Sequence, residues 1–360
     1  MTKYIPFLKA KSNEVLALSE LSGDILNKVK PFFDLPRESK NQSEDVILRK
    51  INTFNKSLSK FYDCKEPIEF YLDNYDLDED ILINGNEQYR YILGFFGEYN
   101  IIPVVGLDRN EEHNEAVFEY IHNHGGKVAF RLSYEDIDSY TITKLSISPI
   151  WRKLKNLSVN EIHLLIDLRY ILPTDVSKLT HKVASFLKSI TKDYPFEMIS
   201  VTGSTIPANI AEILTTYESK VITRSEWKIW SNLIKDKETP LMVYGDYGIV
   251  SPDYSDLDID PKLMRKVSTP KVFYTFEGNY LGVRGGSFQN DPDGNGQYFK
   301  IATTIAEQRF FRNITDSYGE KYTHQRSDFS IKKPAKAGSP GSWIKAMLTS
   351  HITYIVRSLP

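Results

Sequence analysis

The chain has 360 residues, 41% hydrophobic, 12% aromatic and 26% charged, with 45 basic against 47 acidic side chains and a formal charge of −2. Intrinsic disorder of the whole chain is excluded by the aromatic content, and the near balance of charge excludes a globally basic nucleic-acid binder while leaving room for a local basic patch. The single cysteine, Cys64, excludes an intramolecular disulfide and a cysteine-based zinc cluster; with no histidine beside it in sequence, it reads as an ordinary small residue.

Apolar runs at 3–9, 30–35, 68–73, 101–107, 127–132, 162–168, 198–202 and 240–245 predict eight strands buried on both faces. Amphipathic stripes between them predict helices over 13–29, 112–124 and 176–191. Thr223-Arg224-Ser225-Glu226 has the form of a capping box opening a further helix through Trp227 and Trp230. Eight strand–helix units, ending near residue 250, predict a (β/α)₈ TIM-like barrel over 1–254. Beyond it the pattern changes. Residues 271–276 and 280–284 around Glu277-Gly278-Asn279 predict a β-hairpin, 298–312 and 343–356 predict helices, and 332–342 predicts a loop. The expected architecture is therefore an α/β barrel with a C-terminal α+β extension, 255–360, packed on it.

The N-terminal MTKYIPFLKAKSNE has no apolar stretch of the signal-peptide kind, and no run of 18 apolar residues occurs. The expected location is the cytoplasm, with no membrane partner.

Charged residues fall at the ends of the predicted strands. Lys9, Lys11 and Glu14 follow the first, Asp34 and Arg37 the second, Asp73 the third, Asp108 and Arg109 the fourth. Arg131 lies in the fifth, Asp167 and Arg169 end the sixth, and Asp246-Tyr247 ends the eighth. Parallel barrel strands would gather all of them at the C-terminal rim, where barrel enzymes place their active sites. Lys9, Lys11, Arg131 and Arg169 suit an anionic ligand such as a phosphate. Asp34, Asp167, Asp246 and Glu14 are the candidate acid–base groups, and magnesium is the cofactor such carboxylates would suit; no zinc-binding spacing accompanies them. Asp34, Asp167 and Asp246 are expected around one concave pocket with the basic residues, and the hairpin is expected to bring Tyr274 or Arg284 to its mouth. Asp291-Pro292-Asp293-Gly294-Asn295-Gly296 resembles half of a calcium loop but has Ala302 at the twelfth position, so it reads as a solvated turn.

Tyr4-Ile5-Pro6-Phe7-Leu8-Lys9-Ala10-Lys11 with Glu14 follows a Y-x-P-x-L-K-x-K-x-x-E pattern, and Pro31-Phe32-Phe33-Asp34 follows P-x-x-[DE]. Together with Tyr244-Gly245-Asp246-Tyr247, Tyr280, Arg284-Gly285, Gly296-Gln297-Tyr298 and Gly341-Ser342-Trp343, they make the chain resemble the Beta family of phage and prophage proteins. His351 stands alone where that family pairs two histidines. The resemblance implies a role in phage–host conflict and favours Lys9, Lys11, Glu14, Asp34, Asp246, Tyr247, Arg284 and Trp343 as site residues.

Two functions follow as expectations. One is a cytoplasmic barrel protein of an antiphage defence or superinfection-exclusion system that binds a nucleotide or nucleic-acid end at the rim, with processing of that ligand left open. The other is a non-catalytic barrel subunit that binds a partner protein, such as an antitoxin-like or phage-sensing component.

Overall fold

The buried apolar runs do become a closed parallel barrel. The computed structural model describes residues 1–38, 42–254, 263–328 and 335–360. In chain order the strands are β1 (Tyr4–Lys9), β2 (Phe32–Asp34), β3 (Phe70–Asp73), β4 (Ile101–Gly106), β5 (Gly126–Leu132), β6 (Val159–Tyr170), β7 (Met198–Ser204), β8 (Ser219–Thr223), β9 (Val243–Asp246), β10 (Lys271–Phe276) and β11 (Asn279–Arg284). The barrel runs β1-β2-β3-β4-β5-β6-β7-β9 and closes by parallel pairing of β9 with β1. Helices Glu44–Tyr62, Glu111–His124, Tyr140–Lys155 and Val176–Asp193 are among those that cross between strands. Each turns an apolar stripe onto the outer face of the strands.

Alternation along the strands divides the core in two. Ile5, Phe7, Phe32, Tyr71, Ile102, Val104, Ala129, Leu165 and Tyr247 fill the barrel interior. Tyr4, Leu8, Phe33, Leu72 and Tyr244 face the surrounding helices. The floor is polar: Tyr71 Oη meets His163 Nδ1 at 2.8 Å, His163 Nε2 meets Glu161 at 2.9 Å, and Lys30 pairs with Glu69 at 2.5 Å.

Four local expectations are corrected. The stripe over 13–29 is two helices, Ser12–Ser19 and Gly23–Leu26, because the chain is extended at Ser22. The capping box does not form: Arg224 is the N-cap of helix Ser225–Leu233, and Glu226 turns into a buried network. The helix expected over 298–312 is the shorter Gln297–Ala306. The last helix starts earlier than expected, at Pro340, where Ser339 and Ser342 cap each other reciprocally. Of the loop expected over 332–342, residues 332–334 lie outside the described residues.

The hairpin of β10 and β11 forms as expected, but it joins a strand from inside the barrel half of the chain. β8, between β7 and β9 in sequence, pairs antiparallel with β11 to complete a three-stranded sheet. Only Ile222 of β8 is buried, so the segment has no apolar run to announce a strand.

Candidate functional site

Inward parity carries Lys9, Asp34, Asp73, Arg131, Asp167 and Tyr247 to the C-terminal end of the barrel, above the Phe7–Phe32 stack. Arg131 sits at the centre. Its Nη1 donates to Asp34 Oδ1 at 2.7 Å and Asp73 Oδ2 at 2.8 Å. Its Nη2 donates to Asp167 Oδ2 at 2.6 Å, Asp34 Oδ2 at 3.1 Å and Tyr247 Oη at 3.1 Å. Arg109 adds a second guanidinium, 2.7 Å from Asp73 Oδ2, and Tyr247 Oη donates to Asp167 Oδ2 at 2.6 Å.

This is an internally neutralised cluster. Burial alone would raise all three carboxyls. For Asp73 and Asp167 the guanidinium groups more than offset it and hold the pKa below the ordinary value. For Asp34 burial prevails, helped by Asp76 and Asp73, and its pKa rises to about 6 despite Arg131. Arg131 was expected to bind ligand; its donors are instead taken by the protein's own carboxylates. Its guanidinium also stands where a magnesium ion shared by Asp34 and Asp167 would have to sit. Among the described residues no group of three His, Cys, Asp or Glu side chains is arranged to hold a metal ion. These residues therefore do not fit magnesium.

Above the cluster lies a cavity of about 350 Å³ lined by Arg37, Tyr75, Asp76, Arg169, Asp253 and Tyr254. Two tyrosine rings organise its cations. The Tyr75 ring is approached by Arg131, Arg109 and Arg169 at 4.3, 4.6 and 4.8 Å from its centroid. The Tyr254 ring is approached by Lys9, Arg37 and Lys11 at 3.4, 4.9 and 5.7 Å. Such contacts stabilise cations that lack a full complement of counter-charges.

Arg169 reaches the cavity through an unusual backbone. It has φ of +52°, in the left-handed region, at an irregularity in the β6–β7 pairing. Its guanidinium bonds Asp253 Oδ1 at 2.9 Å and Asp76 Oδ1 at 3.3 Å, while its buried Nη1 has no partner among the described residues. Lys9 is 7% exposed, and among the described residues its ammonium has no hydrogen bond and no ion pair. Burial lowers its pKa to about 8; Lys11 and Arg169 add to the shift, and Asp76 and Glu14 oppose it.

The structure thus brings Lys9, Lys11, Asp34, Arg131, Asp167, Arg169 and Tyr247 to one rim, with Glu14 beside it, and places Asp246, Tyr274, Arg284 and Trp343 elsewhere. Glu14 is buried, its carboxylate accepting the Lys9 amide at 2.7 Å. Asp246 is a correction. Tyr244 and Asp246 face outward, because Gly245 takes the inward position against Ser200 and Thr202, where a Cβ would lie 2.7 Å from Ser200 Oγ. Asp246 instead accepts bonds from Arg224 at 2.7 Å, Tyr244 at 2.8 Å and Gly248 N at 2.8 Å, contacts His351 Nε2 at 3.1 Å, and bonds Tyr4 Oη. Every side chain of that network is fully buried, so it joins β1, β9 and the last helix rather than facing a ligand.

Tyr274, Arg284 and Trp343 make their bonds away from the rim. Tyr274 Oη donates to Glu320 and accepts the Arg312 amide, and Trp343 Nε1 donates to Ala337 O. Arg284 bonds Thr269 and Leu214 O, lining a separate cavity of about 210 Å³. None of the three bonds a rim residue among those described.

Sequence reasoning missed Tyr75, Asp76, Asp253 and Tyr254. The available signal was an aromatic residue beside an acid, Tyr75-Asp76 and Asp253-Tyr254, just past the ends of two barrel strands.

A family model described as Beta protein matches residues 4–357, nearly the whole chain. No curated protein matches it.

Proposed function

We propose that this chain, which belongs to the Beta protein family, binds a phosphate-bearing ligand in the rim cavity. The observation that carries this reading is the difference in pairing among the rim cations. Arg131 is matched by Asp34, Asp73 and Asp167 and Arg109 by Asp73, whereas Lys9 has no ion pair among the described residues, and Arg169, paired with Asp76 and Asp253 through Nη2, keeps both N–H groups of Nη1 unbonded beside the cavity. A phosphate would supply the missing acceptors, and Arg169 would present two N–H donors to it. The cavity volume falls in the range of small-molecule sites. A nucleotide or a nucleic-acid end would bring a base to the Tyr75 and Tyr254 rings as well. The setting proposed for this binding is phage–host conflict in the cytoplasm, on the strength of the family resemblance.

Calorimetric titration with inorganic phosphate, pyrophosphate and nucleoside phosphates tests it. Saturable binding that weakens with salt and is lost in Arg169→Ala is expected. No binding by any of them would reject the anion site.

A second reading, a partner-binding subunit, is favoured by one feature. Ile142 and Leu145 are 67% and 74% exposed, one helical turn apart on the helix Tyr140–Lys155. Under that reading Ile142→Asp with Leu145→Asp abolishes biological activity in a phage-plaquing assay while rim variants remain active.

A further inference from the structure

We propose that the ligand of the rim cavity is zwitterionic: it carries an ammonium a few bonds from its phosphate, and Asp76 is the residue that accepts the N–H. This rests on the anion-binding reading above for the phosphate, but the N–H group has its own support in the cavity wall.

The wall holds two guanidinium groups, Arg37 and Arg169, and two carboxylates, Asp76 and Asp253. A wall of both signs complements a ligand of both signs better than a polyanion such as a triphosphate. Pairing within the wall is also incomplete on both sides. Arg169 Nη2 meets Asp76 Oδ1 at 3.3 Å, but the other polar ends of that pair, Arg169 Nη1 and Asp76 Oδ2, are buried with no hydrogen-bond partner among the described residues. The Asp76 side chain is only 6% exposed. The carboxylates of the cluster below are not in this condition: both oxygens of Asp34, of Asp73 and of Asp167 accept hydrogen bonds. Buried polar atoms without a partner are rare in native proteins, so two in one cavity, a donor and an acceptor, point to a ligand that supplies both complements. Tyr254 Oη, in the same wall and near Asp76, is buried and unbonded as well. Its hydroxyl turned onto Asp76 Oδ2 would fill one lone pair and leave the other, and Arg169 Nη1 would still lack an anion.

Recognition then divides between two adjacent side chains. The phosphate accepts from the N–H groups of Arg169 Nη1, and the ammonium donates to Asp76 Oδ2, each a charge-assisted hydrogen bond. Because Arg169 and Asp76 are themselves paired, the phosphate and the nitrogen they bind must lie close together in the ligand. A phosphorylated amino alcohol meets that condition, whereas the amino group of a nucleobase lies across a sugar from its phosphate. The same chemistry occurs in a free amino phosphate and in a lipid headgroup.

The test is calorimetric titration of the full chain with three probes: O-phosphoethanolamine, propyl phosphate, which lacks the amine, and phosphocholine, which keeps the positive charge but has no N–H. O-Phosphoethanolamine is expected to bind at least tenfold more tightly than either of the others. Asp76→Ala, checked for folding by its melting curve, is expected to lose that preference and still bind phosphate. Flotation with phosphatidylethanolamine vesicles, but not with phosphatidylcholine vesicles, would assign the site to a headgroup; binding of the free probe without flotation assigns it to a free amino phosphate. Equal affinity for O-phosphoethanolamine and propyl phosphate in the parent chain overturns the inference and leaves the anion reading standing. Phosphocholine binding as tightly as O-phosphoethanolamine, or a preference that survives in Asp76→Ala, also overturns it. Failure of all three probes and of inorganic phosphate to bind rejects the anion reading itself. The comparison of probes on the parent chain decides the matter even where Asp76→Ala does not fold.

Discussion

Arg169 N donates to Asp167 Oδ1 at 3.0 Å, yet the two side chains, two residues apart on β6, serve different layers. Asp167 turns down to Arg131, and Arg169, set in the left-handed region, turns up to Asp76 and Asp253. Ordinary alternation would have sent both the same way. A side chain at positive φ is disfavoured by about 1–2 kcal/mol relative to glycine. Arg169→Gly is therefore expected to be about 1 kcal/mol more stable than Arg169→Ala, with phosphate binding lost in both. Chemical denaturation of the two variants measures the difference; equal stabilities would show that the backbone stores no strain.

Arg131 separates the structural cluster from the cavity above it. Replacing it with methionine leaves Asp34, Asp73 and Asp167 buried around one missing cation, a loss expected at about 3–5 kcal/mol. Arg131→Lys should fail almost as badly, because a single ammonium cannot reach three carboxylates in the directions the planar fork does. Urea melts followed by circular dichroism test this. A well-folded Arg131→Met variant would show that the cluster is dispensable for the fold.

Lys9 links pH to stability with a definite sign. Its folded pKa, about 8, lies below the ordinary lysine value. Between about pH 8 and pH 10.4 the unfolded chain holds a proton that the folded chain has released, so this group makes stability rise with pH across that window. Lys9→Met should be more stable than the parent at pH 7, by up to about 3 kcal/mol, and lose that advantage by about pH 10.4. Melting curves at both pH values decide it, and an advantage independent of pH would point to packing alone.

Asp246 has the opposite sign. Burial would raise its pKa, but His351, Arg224 and the Tyr4 hydroxyl hold it well below the ordinary carboxylate value. Its contribution is present above about pH 4 and lost as the pH falls below the unfolded value. Asp246→Asn should cost about 3–5 kcal/mol at pH 7, with a gap to the parent that narrows on acidification. A constant gap down to the acid transition would assign the loss to hydrogen bonding rather than charge.

The barrel was legible because its strands are nearly continuous apolar runs, and the rim because charges such as Lys9, Asp34 and Asp167 interrupt those runs at their ends. What was misread has physical causes. Met242 and Tyr244 suggest that Asp246 points inward, but the glycine between them and Tyr247 takes the inner position, and only the neighbouring Ser200 reveals why. Arg131 looks like a ligand-binding cation until Asp34, Asp73 and Asp167 converge on it from three other strands, a meeting that no local pattern encodes. β8 was invisible because four of its five residues are exposed, three of them polar, and Val221 and Ile222 alone make no apolar run.

The pairing of β8 with β11 also bears on how the chain can be made. β11 lies between β10 and β8, Thr349 Oγ1 reaches Ala17 O across the chain at 3.1 Å, Lys3 Nζ reaches Leu359 O at 3.2 Å, and His351 completes the buried set around Tyr4 and Asp246. On the ribosome, the first strand of the barrel thus waits for the last helix to emerge before its outer face is covered. A nascent chain stalled near residue 254 holds every barrel strand but lacks His351 against Tyr4 and Asp246 and leaves the edge of β8 unpaired, surfaces that invite chaperones or proteases. Resistance to them is expected to follow docking of the last helix on β1 rather than closure of the barrel, since that helix carries His351 and Thr349 to Tyr4, Asp246 and Ala17.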